Sequence, residues 1–301
     1  MSVSRTYRSI MTALILTVSF VLHAQTEGVV MHFASLTTDP VELGKGGIGL
    51  HGGNTEPESS VTAGYMLFSP DGSPVSYMNL EGTYSLNARV SLSLEGRYGF
   101  CEEYEMFNQN GRSDGFYRPG QMMVAAGAEY RHADFLKAGL KLKYLNESLA
   151  PDAEHGAFAS DIHITGNIAF SSRSSVIVDL GIDNLGSKVR SAAGQSFPLP
   201  TSLPFCAGYY GVFGKGSALE VLAEVNWFLC GSLAAAAGAS YTYNDLISVR
   251  CGYHYGGQSV VPSFASAGAG LNIHGIRLDL AYIFGSGTMS NSLAVSLGYT
   301  F

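Results

Sequence analysis

Leu293, Val295, Leu297, Tyr299 and Phe301 fall at every second position near the end of this chain. Ser292, Ala294, Ser296, Gly298 and Thr300 fill the places between them. Side chains of a strand alternate between its two faces, so one face here is apolar and aromatic and the other small and wettable. The same alternation recurs in about fourteen segments from Val61 onward. Their approximate extents are 61–68, 74–84, 88–100, 120–131, 134–145, 157–170, 174–184, 203–213, 217–229, 232–243, 246–257, 262–273, 275–285 and 291–301.

Many of these segments divide cleanly by chemistry. In the fifth, Leu136, Ala138, Leu140, Leu142 and Tyr144 oppose Lys137, Lys141 and Lys143. In the ninth, Leu219, Val221, Ala223, Val225, Trp227 and Leu229 oppose Glu220, Glu224 and Asn226. In the thirteenth, Ile276, Leu278, Leu280, Tyr282 and Phe284 oppose Arg277 and Asp279. An apolar face toward lipid and a charged face toward a wet lumen account for both sets, whereas a soluble barrel with a dry interior would invert them. The connections agree. Those after even-numbered segments are short, as at His132-Ala133, Asn244-Asp245 and His274. Several after odd-numbered segments are long: Cys101 to Pro119, Asn146 to Gly156 and Leu185 to Ser202. Outer-membrane barrels have short periplasmic turns and longer outer loops. The pattern predicts an all-β fold, a transmembrane antiparallel β-barrel of about 14 strands spanning 61–301, in the bacterial outer membrane.

The start of the chain changes the picture in two ways. Arg5 and Arg8 precede an apolar run from Ile10 to Leu22, followed by His23, Ala24 and Gln25. That is a secretory signal peptide, expected to span 1–24, and its apolar run is too short to cross a bilayer as a helix. Residues 25–60 alternate poorly and hold Gly44, Gly46, Gly47 and Gly49. They are expected to form a periplasmic or plug-like segment at the barrel's base or within it. The glycines formally match a dinucleotide fingerprint, but no convincing strand precedes them and no helix follows.

The full chain carries 17 basic and 24 acidic residues. No basic patch points to nucleic acid. Glycine is abundant at 37 residues and charged residues are sparse at 14%, as in membrane barrels whose apolar residues are dispersed by alternation. Cys101, Cys206, Cys230 and Cys251 lack CxxC or zinc spacing, and their pairing is open. Asp161, His163 and Thr165 share a face of the sixth segment. An acid, a histidine and a hydroxyl suit nucleophilic catalysis, but a polar lumen wall needs the same residues. No HExxH, GxSxG or complete P-loop pattern occurs. The chain reads as a non-enzyme without cofactor or metal.

Three stretches stand out as motifs: Asp39 to Leu50; Met78 to Tyr84, with the Tyr98-Gly99-Phe100 strand end and the Asn110-Gly111 loop; and Leu180 to Val189, holding Asn184-Leu185-Gly186-Ser187-Lys188, followed by Phe197 to Leu203, holding Leu199-Pro200-Thr201-Ser202-Leu203. Together they resemble the PorV/PorQ family, FadL-like outer-membrane proteins tied to type IX protein secretion. The resemblance implies a fourteen-strand barrel and a protein-interaction or accessory role in secretion, with secretion components or secreted cargo as partners. The alternative is a FadL-like channel for small or hydrophobic solutes. Tyr299 and Phe301 resemble the C-terminal signal read by the barrel-assembly machinery. The long loops offer Tyr104, Phe107, Phe116, Tyr117 and Arg118 in one and Lys188, Arg190 and Phe197 in the other as partner-binding candidates, because aromatic and Arg side chains anchor protein interfaces.

Overall fold

A computed structural model of the chain describes residues 28–50, 58–68, 74–151, 153–190, 194–214, 216–256, 261–285 and 291–301. The signal peptide expected over 1–24 lies outside the described residues. In chain order the strands are β1 (Ser60–Phe68), β2 (Val75–Asn87), β3 (Val90–Cys101), β4 (Tyr104–Phe107), β5 (Ser113–Tyr117), β6 (Gly120–Ala133), β7 (Leu136–Ser148), β8 (Glu154–Ser171) and β9 (Ser174–Gly186). They continue with β10 (Val189–Arg190), β11 (Ser196–Phe197), β12 (Ser202–Phe213), β13 (Ser217–Phe228), β14 (Leu233–Tyr243), β15 (Ile247–Tyr255), β16 (Phe264–Ile273), β17 (Ile276–Gly285) and β18 (Ser292–Thr300).

Fourteen of these strands close into one barrel, every neighbour antiparallel. Each of the fourteen alternating segments corresponds to one of them. The seam joins β1 to β18, with Ser60 opposite Thr300 and Leu67 opposite Leu293. Closure leaves no edge with unpaired backbone groups, which the hydrocarbon of a bilayer cannot satisfy. The short turns lie at one end. His274 and Gly275 both have positive φ, 51° and 84°, between β16 and β17. Two left-handed central residues give the turn a twist that matches the strands it joins. By the short-turn rule this end, where both termini of the barrel lie, faces the periplasm. The long loops at the opposite, outer end carry the β4–β5 and β10–β11 hairpins.

The outer surface is apolar. Exposed aromatics ring both ends: Tyr84, Tyr130, Phe170, Phe213 and Tyr243 at the periplasmic end, and Tyr98, Phe158, Phe205, Trp227 and Phe284 at the outer end. Two such girdles bracket the lipid band of membrane barrels. The expected facing holds in β7, β13 and β17 with one correction. Leu229 is buried rather than lipid-facing. Strand β13 ends at Phe228, and Leu229 turns back to donate its N–H to the Thr201 carbonyl, so alternation no longer governs its side chain.

Leu140 in mid-β7 is 46% exposed, whereas its neighbour Lys141 points inward and pairs with Glu95 at 3.0 Å. Leu140→Arg is therefore expected to cost about 2–4 kcal/mol in a lipid-vesicle folding assay, the range for Arg at the midplane. Lys141→Ala is expected to cost less, because Glu95 keeps Arg97 at 3.0 Å. Equal losses would show that the two faces are reversed.

Candidate functional site

Residues 28–50 run inside the barrel. Asp39 caps a single helical turn, Pro40–Leu43, by accepting the Val41 N–H at 3.0 Å. Proline at the first position supplies a preset φ and lacks an N–H that would go unpaired there. Gly46 and Gly47 then turn with φ of 82° and 78°, a conformation that L side chains rarely adopt. The glycines thus follow a helix rather than open one, unlike a dinucleotide loop. Burial, with Glu42 adding to it, pushes the Asp39 carboxyl up to about 6.

The barrel wall is hollowed to receive this turn. Gly238, Gly252 and Gly268 are successive inward positions of β14, β15 and β16. A Cβ on Gly252 would meet the Gly46 nitrogen and the Lys45 carbonyl carbon, both at 2.2 Å. A Cβ on Gly238 would meet the Lys45 oxygen at 2.3 Å. Polar contacts fix the seat: Lys45 pairs with Glu220 at 2.9 Å, and the Gly46 N–H donates to the Ser266 hydroxyl at 3.1 Å.

Above the turn, toward the outer end, Met31, Phe33 and Leu43 pack on inward-facing Met66, Tyr77, Met123, Leu145, Phe264 and Ile283. Burying a side chain of this size contributes about 1.5–3 kcal/mol. The β9–β12 connection folds over the same cluster, with Val189 and Leu199 buried in it and the Pro198 carbonyl accepting the Val30 N–H at 3.2 Å. The outer half of the lumen is thereby filled with apolar side chains.

Below it the lumen is charged. Strand β9 bulges against β8 at Asn184, where φ is 54°. The Asn184 N–H donates to Asp161 at 2.8 Å, and its Oδ1 accepts from the Lys143 ammonium at 2.6 Å. Its Nδ2 donates to Ser35 Oγ at 3.2 Å and to the Pro200 carbonyl at 3.4 Å. One buried amide therefore ties the wall, the plug segment and the β9–β12 loop together. Lys143 also reaches Asp161 at 2.7 Å.

Asp161, His163 and Thr165 do share the lumen face, but their bonding is not catalytic. His163 Nδ1 meets Asp179 and Nε2 meets Asp183, each at 2.8 Å. The Thr165 hydroxyl donates to Asp179 at 2.5 Å rather than to the imidazole. A nucleophile needs its proton directed at the base, and both nitrogens of this base already face carboxylates. Asp179 and Asp183 come from the neighbouring strand. Their spacing of four, on one face of β9 before the bulge, was the only sign of them in the sequence.

Two cavities open in this charged region, of about 240 Å³ beneath the plug and about 430 Å³ toward the periplasmic mouth. Asp39, Glu42, Glu81, Lys141, Asp161 and His163 line both, so the two are neighbours that share these side chains as a wall. Glu58, Arg277 and Thr300 line the lower one at the barrel's base.

The loop candidates divide. Tyr104, Phe107 and Phe116 are exposed on the β4–β5 hairpin. Tyr117 is turned to the rim, its hydroxyl 2.6 Å from that of Ser148. Arg118 pairs with Glu103 at 3.1 Å and lies over the Phe100 ring at 6.0 Å. Lys188 and Arg190 are exposed, while Phe197 is half-buried in the closure of the mouth. Among the described residues no hydrogen bond or ion pair joins the two loops. Tyr299 and Phe301 are exposed at the periplasmic end, their rings stacked at 6.0 Å, and the Phe301 N–H donates to the Ser59 carbonyl at 2.9 Å. All four cysteines are free.

Removing Phe301 takes away that seam bond and the terminal aromatic together. Outer-membrane insertion of the truncated chain is expected to fall, read as loss of the heat-modifiable band. Insertion at the normal level would remove Phe301 from any role in assembly.

A closed barrel with an apolar exterior, two aromatic girdles and a charged interior defines the class: this is an outer-membrane β-barrel, filled in part by its own N-terminal segment. Comparison with solved structures gives the same fold. The toluene transporter TbuX of Ralstonia pickettii superposes with a TM-score of 0.56 at 12% identity, over 89% of this chain and 99% of its own. The monoaromatic hydrocarbon channel CymD superposes with a TM-score of 0.54 at 13% identity, over 88% of this chain and 97% of its own. No protein-family model and no curated protein matches the sequence.

Proposed function

We propose that this chain is an outer-membrane channel for small solutes, FadL-like in fold, whose lumen is closed toward the outside by residues 28–50. The observation that carries the reading is the pair of neighbouring charged cavities between the plug and the periplasmic mouth, which share six lining side chains. The likeness of fold to a toluene transporter and a monoaromatic hydrocarbon channel supports transport as the class of activity. The cavity lining here is rich in charge, with Glu81, Glu95, Arg97, Lys141 and Asp161 among its walls, and this favours polar solutes over hydrocarbons. Proteoliposomes holding Gly252→Val, whose added side chain would meet the plug backbone at Gly46 and Lys45, should swell faster in a small neutral polyol than those holding the plugged wild type. Equal swelling of the two, with the variant inserted normally, would refute the channel.

A second reading, an accessory of type IX secretion engaging secretion components or cargo, is favoured by one observation: the exposed aromatic face of the β4–β5 hairpin, with Phe107 63% and Phe116 67% accessible. Loops tolerate deletion better than strands. Under this reading, shortening the loop from 101 to 119 removes co-purifying secretion proteins while the barrel stays abundant and heat-modifiable. Partners retained after that deletion would exclude the hairpin.

A further inference from the structure

Two hydroxyls beneath the plug are buried and unused. Thr38 of the plug is 2% exposed, and Ser202 at the start of β12 is 1% exposed. Neither hydroxyl makes a hydrogen bond among the described residues, yet neither oxygen is sealed from contact. Both residues line the cavity of about 240 Å³, and the trace of surface that each hydroxyl keeps opens onto it. Hydroxyls nearby are bonded: Thr201 donates to the Asn184 carbonyl at 2.9 Å, and Ser35 accepts from Asn184 Nδ2 at 3.2 Å. A buried hydroxyl without a partner is unfavourable, so two that face one cavity mark a place for a ligand.

Strand register sets the wall around Ser202. Ser202 stands opposite Asp183 of β9, and Cys206, on the same inward face of β12, stands opposite Glu224 of β13. Asp183 and Glu224 line the same cavity and supply acceptors, and Pro204 lines it between Ser202 and Cys206. The cations that line the cavity are all held by carboxylates: Arg97 and Lys141 by Glu95, Lys143 by Asp161, and His163 by Asp179 and Asp183. An anionic ligand would have to compete with those carboxylates. An ammonium would pair with Asp183 or Glu224 but has no lone pair to take the protons of Thr38 and Ser202. A ligand hydroxyl is donor and acceptor at once, and satisfies both kinds of group.

We infer that the cavity beneath the plug binds a small neutral polyhydroxy compound of monosaccharide size, which accepts from Thr38 and Ser202 and donates to Asp183 and Glu224. Pro204 offers an apolar face to the C–H side of such a ring. At about 30 Å³ for each water, the cavity has the volume of about eight waters. That is room for one sugar ring and too little for a drug-sized ligand. The inference deepens the channel reading by naming the solute, and rests on that reading for the route by which the solute arrives.

The test is titration calorimetry on the full chain in a detergent without a sugar headgroup. Glucose, galactose and xylose are the probes, with 1,4-diaminobutane and succinate as cationic and anionic counterparts. At least one sugar is expected to bind, and neither charged compound. Thr38→Val keeps the side chain's shape and removes only the hydroxyl. It is expected to weaken sugar binding roughly tenfold, a change of about 1.4 kcal/mol, and Thr38→Ser to restore it. Ser202→Ala, a second and separate variant, carries the same expectation. Neither hydroxyl is bonded within the protein, so both variants should keep the wild-type heat-modifiable transition, which a structural role would shift. Weakened binding in either folded variant supports the site. Binding of none of the sugars, equal binding of the diamine or of succinate, or unchanged affinity in both folded variants would overturn it. Polyol flux through Gly252→Val in liposomes is read separately. Flux without sugar binding removes the site and keeps the channel, whereas sugar binding without flux keeps the site and removes the channel.

Discussion

Gly252→Val is expected to unseat the plug and open the lumen. A Cβ at this position falls 2.2 Å from two backbone atoms of the plug, at Gly46 and Lys45, and backbone has no rotamer with which to yield. The strand itself is tolerant, since β15 pairs on both sides and a β-branched residue suits it. The strain therefore falls on the seat. Overpacking of this kind costs about 1–3 kcal/mol, and each 1–2 kcal/mol raises the unseated fraction by a factor of roughly 5–30. Displacing the turn also breaks the Lys45–Glu220 pair and the Gly46–Ser266 bond. In planar bilayers the variant is expected to show large, long openings that the wild type shows rarely. A variant that inserts normally with unchanged conductance would mean that the glycine groove does not hold the plug.

Lys143→Met is the other change with a large expected effect. Lys143 is 6% exposed and neutralises Asp161 at 2.7 Å while donating to Asn184. Removing the ammonium leaves the Asp161 carboxylate, still bonded to the Asn184 N–H, without its countercharge, and the Asn184 side-chain oxygen without its donor inside the barrel. Breaking one partner of a buried pair costs about 3–5 kcal/mol, whereas replacing both with apolar groups is often close to neutral. The single variant should lose its heat-modifiable form at a clearly lower temperature, and Lys143→Met with Asp161→Leu should regain much of the loss. A double variant no better than the single would show that Asn184 and the plug contact at Ser35, rather than the charge pair, carry the effect.

The barrel was legible in the sequence because its determinants are local. Alternation with period two needs only neighbouring residues, and all fourteen barrel strands follow from it. Boundaries slipped where the ladder outruns the alternation, as at β8, which begins at Glu154 rather than 157. Leu229 was misassigned by extending the period one residue past the end of β13. The β4–β5 and β10–β11 hairpins were missed because strands of two to five residues are too short to show a period.

The lumen was legible only by halves. Alternation put Asp161 and His163 on the inner face, but their partners Asp179, Asp183 and Lys143 depend on the register between strands, and the bulge at Asn184 shifts that register by one. The glycine groove was invisible for the same reason. Gly238, Gly252 and Gly268 read as isolated small residues until three strands are laid side by side against the plug.

The most direct test of the account is hydrogen exchange of the full chain in lipid, followed over residues 39–47. The amides of Leu43, Gly44, Lys45, Gly46 and Gly47 all donate to backbone carbonyls inside the lumen, with Gly46 also facing Ser266. They are predicted to exchange slowly in the wild type and quickly in Gly252→Val, while the amides of β15 and β16 stay protected in both. Fast exchange over 39–47 in the wild type, at the rate of a free tail, would contradict a lumen held closed by its own N-terminal segment.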